Sequence, residues 1–494
     1  MITVAYKDAV NLAVKAESSI LLELRDHFSF DVPGAKFTPL YKSRKWDGKI
    51  YLFSPMTKNL PVGLFDYLKK FAEDNEYSID STRYVPIKET VSVEDVAAFC
   101  KALNPHNGAG EPIALHDYQI EAIYIALNSG RRVLLSPTAS GKSLIIYCLL
   151  RWHLLKKSKQ LIVVPTTSLV EQMFTDFCDY SKANEWDVTA NCSKIYTGKE
   201  KSNDSNVVIT TWQSARLLPD KFFEPFAVVF GDEAHLFKAK ELTGVMNKLK
   251  NAPYRYGTTG TLDGTQTNKL VLEGLFGPVY KVISTRDLID QGKISDLKIY
   301  CIQLGYTEEE RNACKKATYQ QEIEFLISNE KRNKFIRNLT LSMKGNTLLL
   351  YQLVEKHGQI LYDMICEKVA EGRKVFFIHG KVEAAAREEV RRITEQETNA
   401  IIVASFGTFS TGTNIRNLHN VIFASPSKSR IRNLQSIGRG LRKSDTKDSC
   451  NLYDISDDLT WKSRKNFTLL HMIERIKIYA EEKFIYKFVK VDLK

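Results

Sequence analysis

The chain has 494 residues, 44% hydrophobic and 26% charged, with 70 Lys and Arg against 58 Asp and Glu and a formal net charge of +12. That length exceeds what one hydrophobic core supports and implies about three domains, while the basic excess favours a polyanionic partner such as nucleic acid. No run approaches the ~18 apolar residues of a membrane span and none at the start resembles a secretory leader, so a soluble, intracellular protein with no membrane partner is expected. The eight cysteines are scattered without a C-x-x-C pair, which argues against a zinc ribbon or dithiol site and fits reduced thiols.

Residues 1–95 read as a small α/β module. A strand is expected over 1–6, a helix over 16–28 with Leu21, Leu22 and Leu24 on or near its apolar face, and a second helix over 62–75. Between the helices, Trp46, Asp47 and Gly48 read as a hairpin turn joining two β-prone runs. Lys42, Arg44, Lys45 and Lys49 cluster about that turn, interleaved with Tyr41, Trp46 and Tyr51. Cationic side chains neutralise phosphates and aromatic faces pack on sugars or bases, which makes Lys45 and Trp46 candidate DNA contacts. The alternative is a solvated hairpin whose aromatics fill a small core. A short helix and a turn-rich linker follow over 91–112.

A helix then opens near Leu115, and its Gln119 carries the donor and acceptor that match adenine's edge. The apolar run Val133 to Leu135 leads into Ser136, Pro137, Thr138, Ala139, Ser140, Gly141, Lys142 and Ser143, after which another helix begins. Strand, tight loop and helix start is the arrangement in which backbone N–H groups wrap a phosphate chain, so Pro137 to Ser143 are candidate nucleotide ligands. The pattern is G-x-x-x-x-G-K-[ST] with Ser136 in place of the first glycine. Lys142 would reach the β- and γ-phosphates, and the Ser143 hydroxyl would take a Mg²⁺ position.

Two later strands end on hydroxyl-rich loops, one at Pro165, Thr166 and Thr167 and one at Thr210, Thr211 and Trp212. Open α/β sheets bind ligands at the carboxyl ends of their strands, so Pro165 and Thr166, with an exposed Thr210, Thr211 and Trp212, are expected to contact a phosphate backbone. The same hydroxyls could also cap helices. The strand from Phe226 ends on Asp232 and Glu233, followed by Ala234 and His235. Asp232 would hold Mg²⁺ and Glu233 would polarise the water that attacks the γ-phosphate; two adjacent carboxylates would be costly to bury without a cation. Thr259, Gly260 and Thr261 close a further strand.

In the second half, a helix and turn over 285–295 form a linker, and a charged helical stretch over 321–343 reads as largely solvated. A strand from Lys374 precedes His379, Gly380 and Arg387, and another from Ala400 precedes Thr411, Gly412 and Asn414. Gln435, Gly438, Arg439 and Arg442 spell Q-x-x-G-R-x-x-R. A tail over 466–484 sets Leu469, Met472, Ile476 and Tyr479 at helical spacing.

In order and spacing these motifs resemble those of the superfamily-2 helicases. Phe37, Thr38 and Pro39, the Lys45 to Lys49 turn, and the 406–412 and 473–484 segments resemble the UvsW-type bacteriophage helicases, and the resemblance covers nearly the full length. It implies an α/β fold, with an N-terminal DNA-binding accessory domain at 1–95, tandem RecA-like parallel-sheet domains at 96–284 and 285–465, and a helical tail at 466–494. ATP and Mg²⁺ are the implied cofactors. Glu233, Lys142, Gln435, Arg439 and Arg442 are the implied catalytic set, with Arg439 and Arg442 stabilising charge on the γ-phosphate from the second domain. Gly412 would face the nucleotide, and Thr411 and Asn414 the DNA.

The implied activity is ATP-driven 3′→5′ movement on branched DNA: fork regression, Holliday-junction branch migration, and D-loop and R-loop unwinding in phage replication, recombination and repair. The implied partners are single-stranded and branched DNA, an RNA–DNA hybrid and a single-strand-binding protein, for a monomer in the host cytoplasm. An RNA helicase, a restriction-complex motor and a DNA-binding protein with an inactive ATP fold are the rival readings. No nuclease signature supports the second, and the intact Lys142, Glu233, Arg439 and Arg442 set opposes the third.

Overall fold

The computed structural model describes all residues except 33, 197–204, 235–238, 263–265, 411–414, 416, 426–428, 442–446, 448 and 494, and gives backbone alone for 239, 240, 266–268, 384, 385, 388, 409, 410, 430–432, 435 and 439. One compact unit holds Met1–Ser136 and Gly141–Val282, and another holds Pro137–Ser140 and Ile283–Lys494. All eight cysteines are free thiols. Among the described residues, no helix is long and apolar enough to cross a membrane.

The N-terminal module is a four-stranded sheet in the order Asn59–Pro61, Asn11–Lys15, Ile2–Tyr6, Ile79–Arg83, antiparallel except for its last pair. Ile2, Val4, Leu12 and Val14 alternate onto one face, where helices Ser18–His27 and Phe65–Asp74 deliver Leu21, Leu24, Leu68 and Phe71. Leu22 does not join that face and is 49% exposed, because it lies about 100° from Leu21 and about 200° from Leu24 around the helix.

The expected hairpin is also redrawn. Strand Lys49–Tyr51 pairs with Ser29–Asp31, not with the run from Phe37. That run turns helical, as a 3₁₀ turn Ala35–Phe37 and a short helix Pro39–Lys42. Thr38 caps the short helix by accepting from Tyr41 N, and Pro39 occupies the first helical position, where its missing N–H costs nothing. A strong local start signal outweighs the β propensity of Phe37 and Tyr41.

Two contacts seat this module on the first motor domain. Tyr67 donates to Glu273 Oε2 at 2.7 Å, and Ala9 N donates to Lys250 O at 2.9 Å. The fit is close enough that a Cβ on Gly63 would stand 1.9 Å from the Glu273 carbonyl oxygen, so no other residue fits there.

The first motor sheet has seven parallel strands in the order Val279–Lys281, Arg131–Leu135, Tyr254–Thr259, Phe226–Gly231, Lys159–Val164, Val207–Thr211, Cys192–Ile195. The residues Val133–Leu134, Val228–Phe230, Leu161–Val164 and Val207–Ile209 of its inner strands are apolar and buried on both faces, as a sheet covered by helices on both sides requires. The second sheet is likewise parallel and seven-stranded: Val375–Ile378, Ile401–Ser405, Thr347–Tyr351, Asn420–Phe423, Ser449–Asp458, Asp296–Gly305, Ile485–Asp492.

Two expectations for the second unit are corrected. The charged stretch over 321–343 is two helices, Tyr319–Ser328 and Glu330–Ser342, broken where Asn329 caps the second by accepting from Arg332 N at 2.9 Å. It is not simply solvated, because Arg332 is buried in an ion pair with Asp457, 2.8 Å away. The tail is helix Phe467–Glu481 followed by strand Ile485–Asp492, which completes the sheet beside Asp296–Gly305. The alternation of β-branched and aromatic residues in that last segment decides for strand over helix.

Candidate nucleotide and nucleic-acid site

Strand Arg131–Leu135 ends at Ser136, and helix Lys142–Leu154 begins six residues later. The loop between them turns through two left-handed residues, Ala139 at φ +68° and Gly141 at φ +80°. Ser140 braces it, with its hydroxyl donating to Pro137 O at 2.7 Å. Ser136 has no left-handed φ and donates its N–H to Thr259 O at 2.9 Å, so a serine serves where the motif has glycine. Gly141 is fixed by space as well as by φ, since a Cβ there would lie 2.3 Å from Gln119 Nε2. Gln119 is thereby held against the loop, with its Oε1 accepting from His116 N at 2.9 Å at the start of helix Asp117–Ser129.

Lys142 Nζ lies 3.2 Å from Ser136 O and 3.5 Å from Glu233 Oε1, with both charged side chains less than one-fifth exposed. Asp232 and Glu233 follow strand Phe226–Gly231 on the neighbouring part of the sheet. Asp232 is buried and accepts from Thr258 Oγ1 at 2.6 Å. Burial, then the adjacent Glu233 charge, push its carboxyl up to about 6, with Lys142 and Thr258 acting the other way. Glu233 has a left-handed backbone, φ +48°, unusual for a residue with a side chain, and its Oε2 lies 3.5 Å from Gly260 N.

The first unit therefore brings together Ser136, Gly141 to Ser143, Gln119, Asp232, Glu233 and the loop at Thr259 to Thr261. It fits ATP and Mg²⁺. A backbone loop ahead of a helix N-terminus suits phosphates, and a buried carboxylate whose ionisation is opposed by a second one suits a divalent cation. Two positioning residues had no signal in the motifs: Thr258, which fixes Asp232, and Tyr180, whose hydroxyl lies 2.8 Å from Ser143 Oγ. Thr258 stands one residue before the loop singled out in the sequence, whereas Tyr180 sits at the far end of helix Thr167–Tyr180.

The DNA candidates divide. Pro165 is buried at its strand end, while Thr166 is partly exposed and caps helix Thr167–Tyr180 by accepting from Leu169 N at 3.3 Å. Thr210 and Thr211, expected to be exposed, are buried. Thr210 still belongs to the sheet, and its hydroxyl donates to Ile195 O at 2.7 Å across to the edge strand; Thr211 caps the next helix by accepting from Ser214 N at 3.3 Å. Trp212 packs partly buried against the domain core. The exposed positions at these two ends are Thr167 and Gln213.

In the N-terminal module Lys45 is exposed, but Trp46 is half-buried and pinned by its Nε1 donating to Lys49 O at 2.8 Å. Close to Lys45 in sequence, Phe37 is 82% exposed and Leu40 57% exposed. The helical turn that replaced the expected strand presents them. In the second unit, Gln435 and Arg439 lie on helix Arg430–Gly440, and Thr411, Gly412, Asn414 and Arg442 fall outside the described residues, as does His235.

Three family descriptions match the chain in sequence: the N-terminal region of DNA helicase UvsW over residues 1–81, the res subunit of type III restriction enzymes over 112–264, and the helicase conserved C-terminal domain over 330–444. The ATP-dependent DNA helicase uvsW of Enterobacteria phage T4 is 34% identical over 510 residues, covering 100% of both chains. A DNA 3′-5′ translocase, XPB2 of Sulfurisphaera tokodaii, is 25% identical over 271 residues, 54% of this chain and 53% of its own. The crystal structure of T4 UvsW superimposes with a TM-score of 0.54 at 33% identity over 100% of both chains. The helicase MrfA bound to DNA shares the fold, with a TM-score of 0.56 at 14% identity over 82% of this chain and 56% of its own.

Proposed function

The chain belongs to the UvsW-type superfamily-2 helicases, and from that membership we propose that it is an ATP-driven motor that remodels branched DNA. The reactions are fork regression, Holliday-junction branch migration, and D-loop and R-loop unwinding with 3′→5′ polarity. The observation that carries this reading is a collinear relationship that includes the N-terminal module as well as the motor domains. That module distinguishes a branched-DNA enzyme from motors that share only the tandem sheets. The net charge of +12 agrees with a polyanionic substrate.

In this reading Lys142 and the loop N–H groups bind the nucleotide's phosphates. Asp232 and Ser143 would hold Mg²⁺, which supplies charge neutralisation on the phosphates when bound. Glu233 takes a proton from the attacking water, and its ion pair with Lys142 keeps it close to the phosphate end of the loop. Thr258 and Tyr180 orient Asp232 and Ser143. Arg439 and Arg442 stabilise the charge that develops on the γ-phosphate, with Gln435 in the same catalytic set and Gly412 facing the nucleotide. Thr166 and Thr167 on the first sheet, with Thr411 and Asn414 on the second, hold one strand through its phosphates. Such contacts give steep salt dependence and little base preference. Lys45 with Phe37 and Leu40 engages the branch.

Steady-state ATP hydrolysis tests the proposal, measured with no nucleic acid, with single-stranded DNA, with a DNA four-way junction and with RNA. Stimulation by DNA, strongest with the junction, is the expected result. Stimulation by RNA alone would overturn the substrate assignment and leave the motor intact.

A further inference from the structure

We infer that Arg131 and Arg255 form a buried binding site for a small inorganic anion, of the chloride or phosphate kind, between the N-terminal module and the first motor sheet. The two residues are register partners on adjacent parallel strands, Arg131–Leu135 and Tyr254–Thr259, so their side chains leave the same face of the sheet. Arg255 is fully buried. Its Nε donates to Ala252 O at 2.9 Å and its Nη2 to Leu249 O at 2.6 Å. Arg131 Nη2 donates to Ala9 O, and Ala9 N donates in turn to Lys250 O at 2.9 Å. Both guanidinium groups therefore converge on the 249–252 turn and the module residue laid against it. The Nη1 of each is buried and has no hydrogen-bond partner among the described residues.

The charge does not balance. Asp8 is the acidic side chain whose charge acts on both arginines, and its Oδ1 already accepts from Val10 N at 2.7 Å and Asn11 N at 2.8 Å. Tyr6 and Tyr84 face the same cluster, and burial raises both hydroxyls further from ionisation. Two guanidinium groups against one carboxylate leave one positive charge. Burial pushes Arg131 down to about 10 and Arg255 well below its ordinary value, and the Arg131 charge lowers Arg255 further. A guanidinium stays protonated in a protein, so an anion that accepts from both Nη1 groups meets the charge and the missing hydrogen bonds together. The site is not the nucleotide site: Arg131 begins the strand whose opposite end runs into the phosphate loop, about 13 Å away at ~3.3 Å per residue. An ion here would tie the seating of the module, through Ala9, to the base of the motor sheet.

The test is thermal unfolding of the full-length protein with potassium chloride or potassium phosphate titrated into potassium gluconate at constant ionic strength. A saturable rise of about 3 °C in either arm is expected, and the arm that gives it identifies the ion. Arg131→Met removes that rise, whereas phosphate binding at the nucleotide loop would persist in the variant. A bromide-soaked crystal of the unmodified protein decides independently of whether the variant folds, by an anomalous peak within hydrogen-bonding distance of both Nη1 atoms. Equal, unsaturating slopes in both proteins, or no peak at the site, would overturn the inference and assign the two nitrogens to water.

Discussion

The two motor sheets bury arginine in opposite ways. In the second, Arg332 and Arg475 each lie 2.8 Å from a buried carboxylate on strand Ser449–Asp458, Asp457 and Asp454 respectively. In the first, Arg131 and Arg255 meet carbonyl oxygens and a single shared carboxylate charge. The acidic side is uneven too, for Asp232 and Glu233 stand together beside Lys142, whose Nζ lies 3.5 Å from Glu233 Oε1. Charge neutralised inside the fold holds the second sheet together. Charge left over in the first is where the proposed cation with nucleotide would bind at one end of the strands and the proposed anion at the other.

The strongest way to break this comparison is to unpair a balanced arginine. Asp457→Asn leaves Arg332 buried without its counter-charge and should cost about 3–5 kcal/mol, read by chemical denaturation of the second unit. The double change Arg332→Met with Asp457→Leu should recover most of that loss. A cost below about 1 kcal/mol for Asp457→Asn would show that the pair is not a structural support. Close behind in size, Glu233→Gln should lower ATP turnover by about 10³-fold with little change in thermal midpoint, because it removes the base while keeping the side chain's shape.

Asp232 should behave as leftover charge. Its carboxyl is raised to about 6 in the folded protein, so the stability associated with its protonated form is present below about pH 4 and lost as pH rises through about 6. Asp232→Asn should therefore raise the melting temperature at pH 7.5, with the gain vanishing by pH 4, while abolishing Mg²⁺-dependent ATP hydrolysis. The variant must be compared with the unmodified chain at each pH, because two buried histidines slope the other way. Burial pushes His153 down to about 4 and His357 down to about 3, so their contribution is lost as pH falls below about 6.5. An Asp232→Asn protein no more stable than the unmodified chain at pH 7.5 would contradict the charge argument.

The smallest effect expected is at the N-terminal module. Phe37→Ala should reduce junction-stimulated ATP hydrolysis by about tenfold at limiting DNA, as loss of one stacking contact of about 1.4 kcal/mol would, and leave basal hydrolysis unchanged. Trp46→Ala should instead lower the module's stability, since Trp46 is pinned at Lys49 O. The reverse pattern would show that the tryptophan, and not the phenylalanine, meets the DNA.

The nucleotide site was legible because its chemistry constrains residue type and spacing within short segments: a glycine where φ is positive, a lysine and a hydroxyl at a helix start, two carboxylates at a strand end. What could not be read depends on partners far away in sequence. The run at Lys331 to Lys334 looks solvated until Asp457, 125 residues from Arg332, is seen beside it. Thr210 looked exposed because its strand end could be placed but the edge strand carrying Ile195 O could not. Phe37 and Tyr41 favoured a strand by composition, and a Thr38–Pro39 helix start overrode them. The module's seating on Glu273 likewise rests on a tyrosine 206 residues away.

The most direct measurement of the central claim is conversion of a mobile DNA four-way junction into its branch-migrated products, followed with ATP for the unmodified chain and for Glu233→Gln. The account predicts conversion that requires ATP, weakens steeply with salt and is absent from the variant. Conversion that proceeds equally well with Glu233→Gln, or rapid DNA-stimulated ATP hydrolysis with the junction left unmoved, would contradict it.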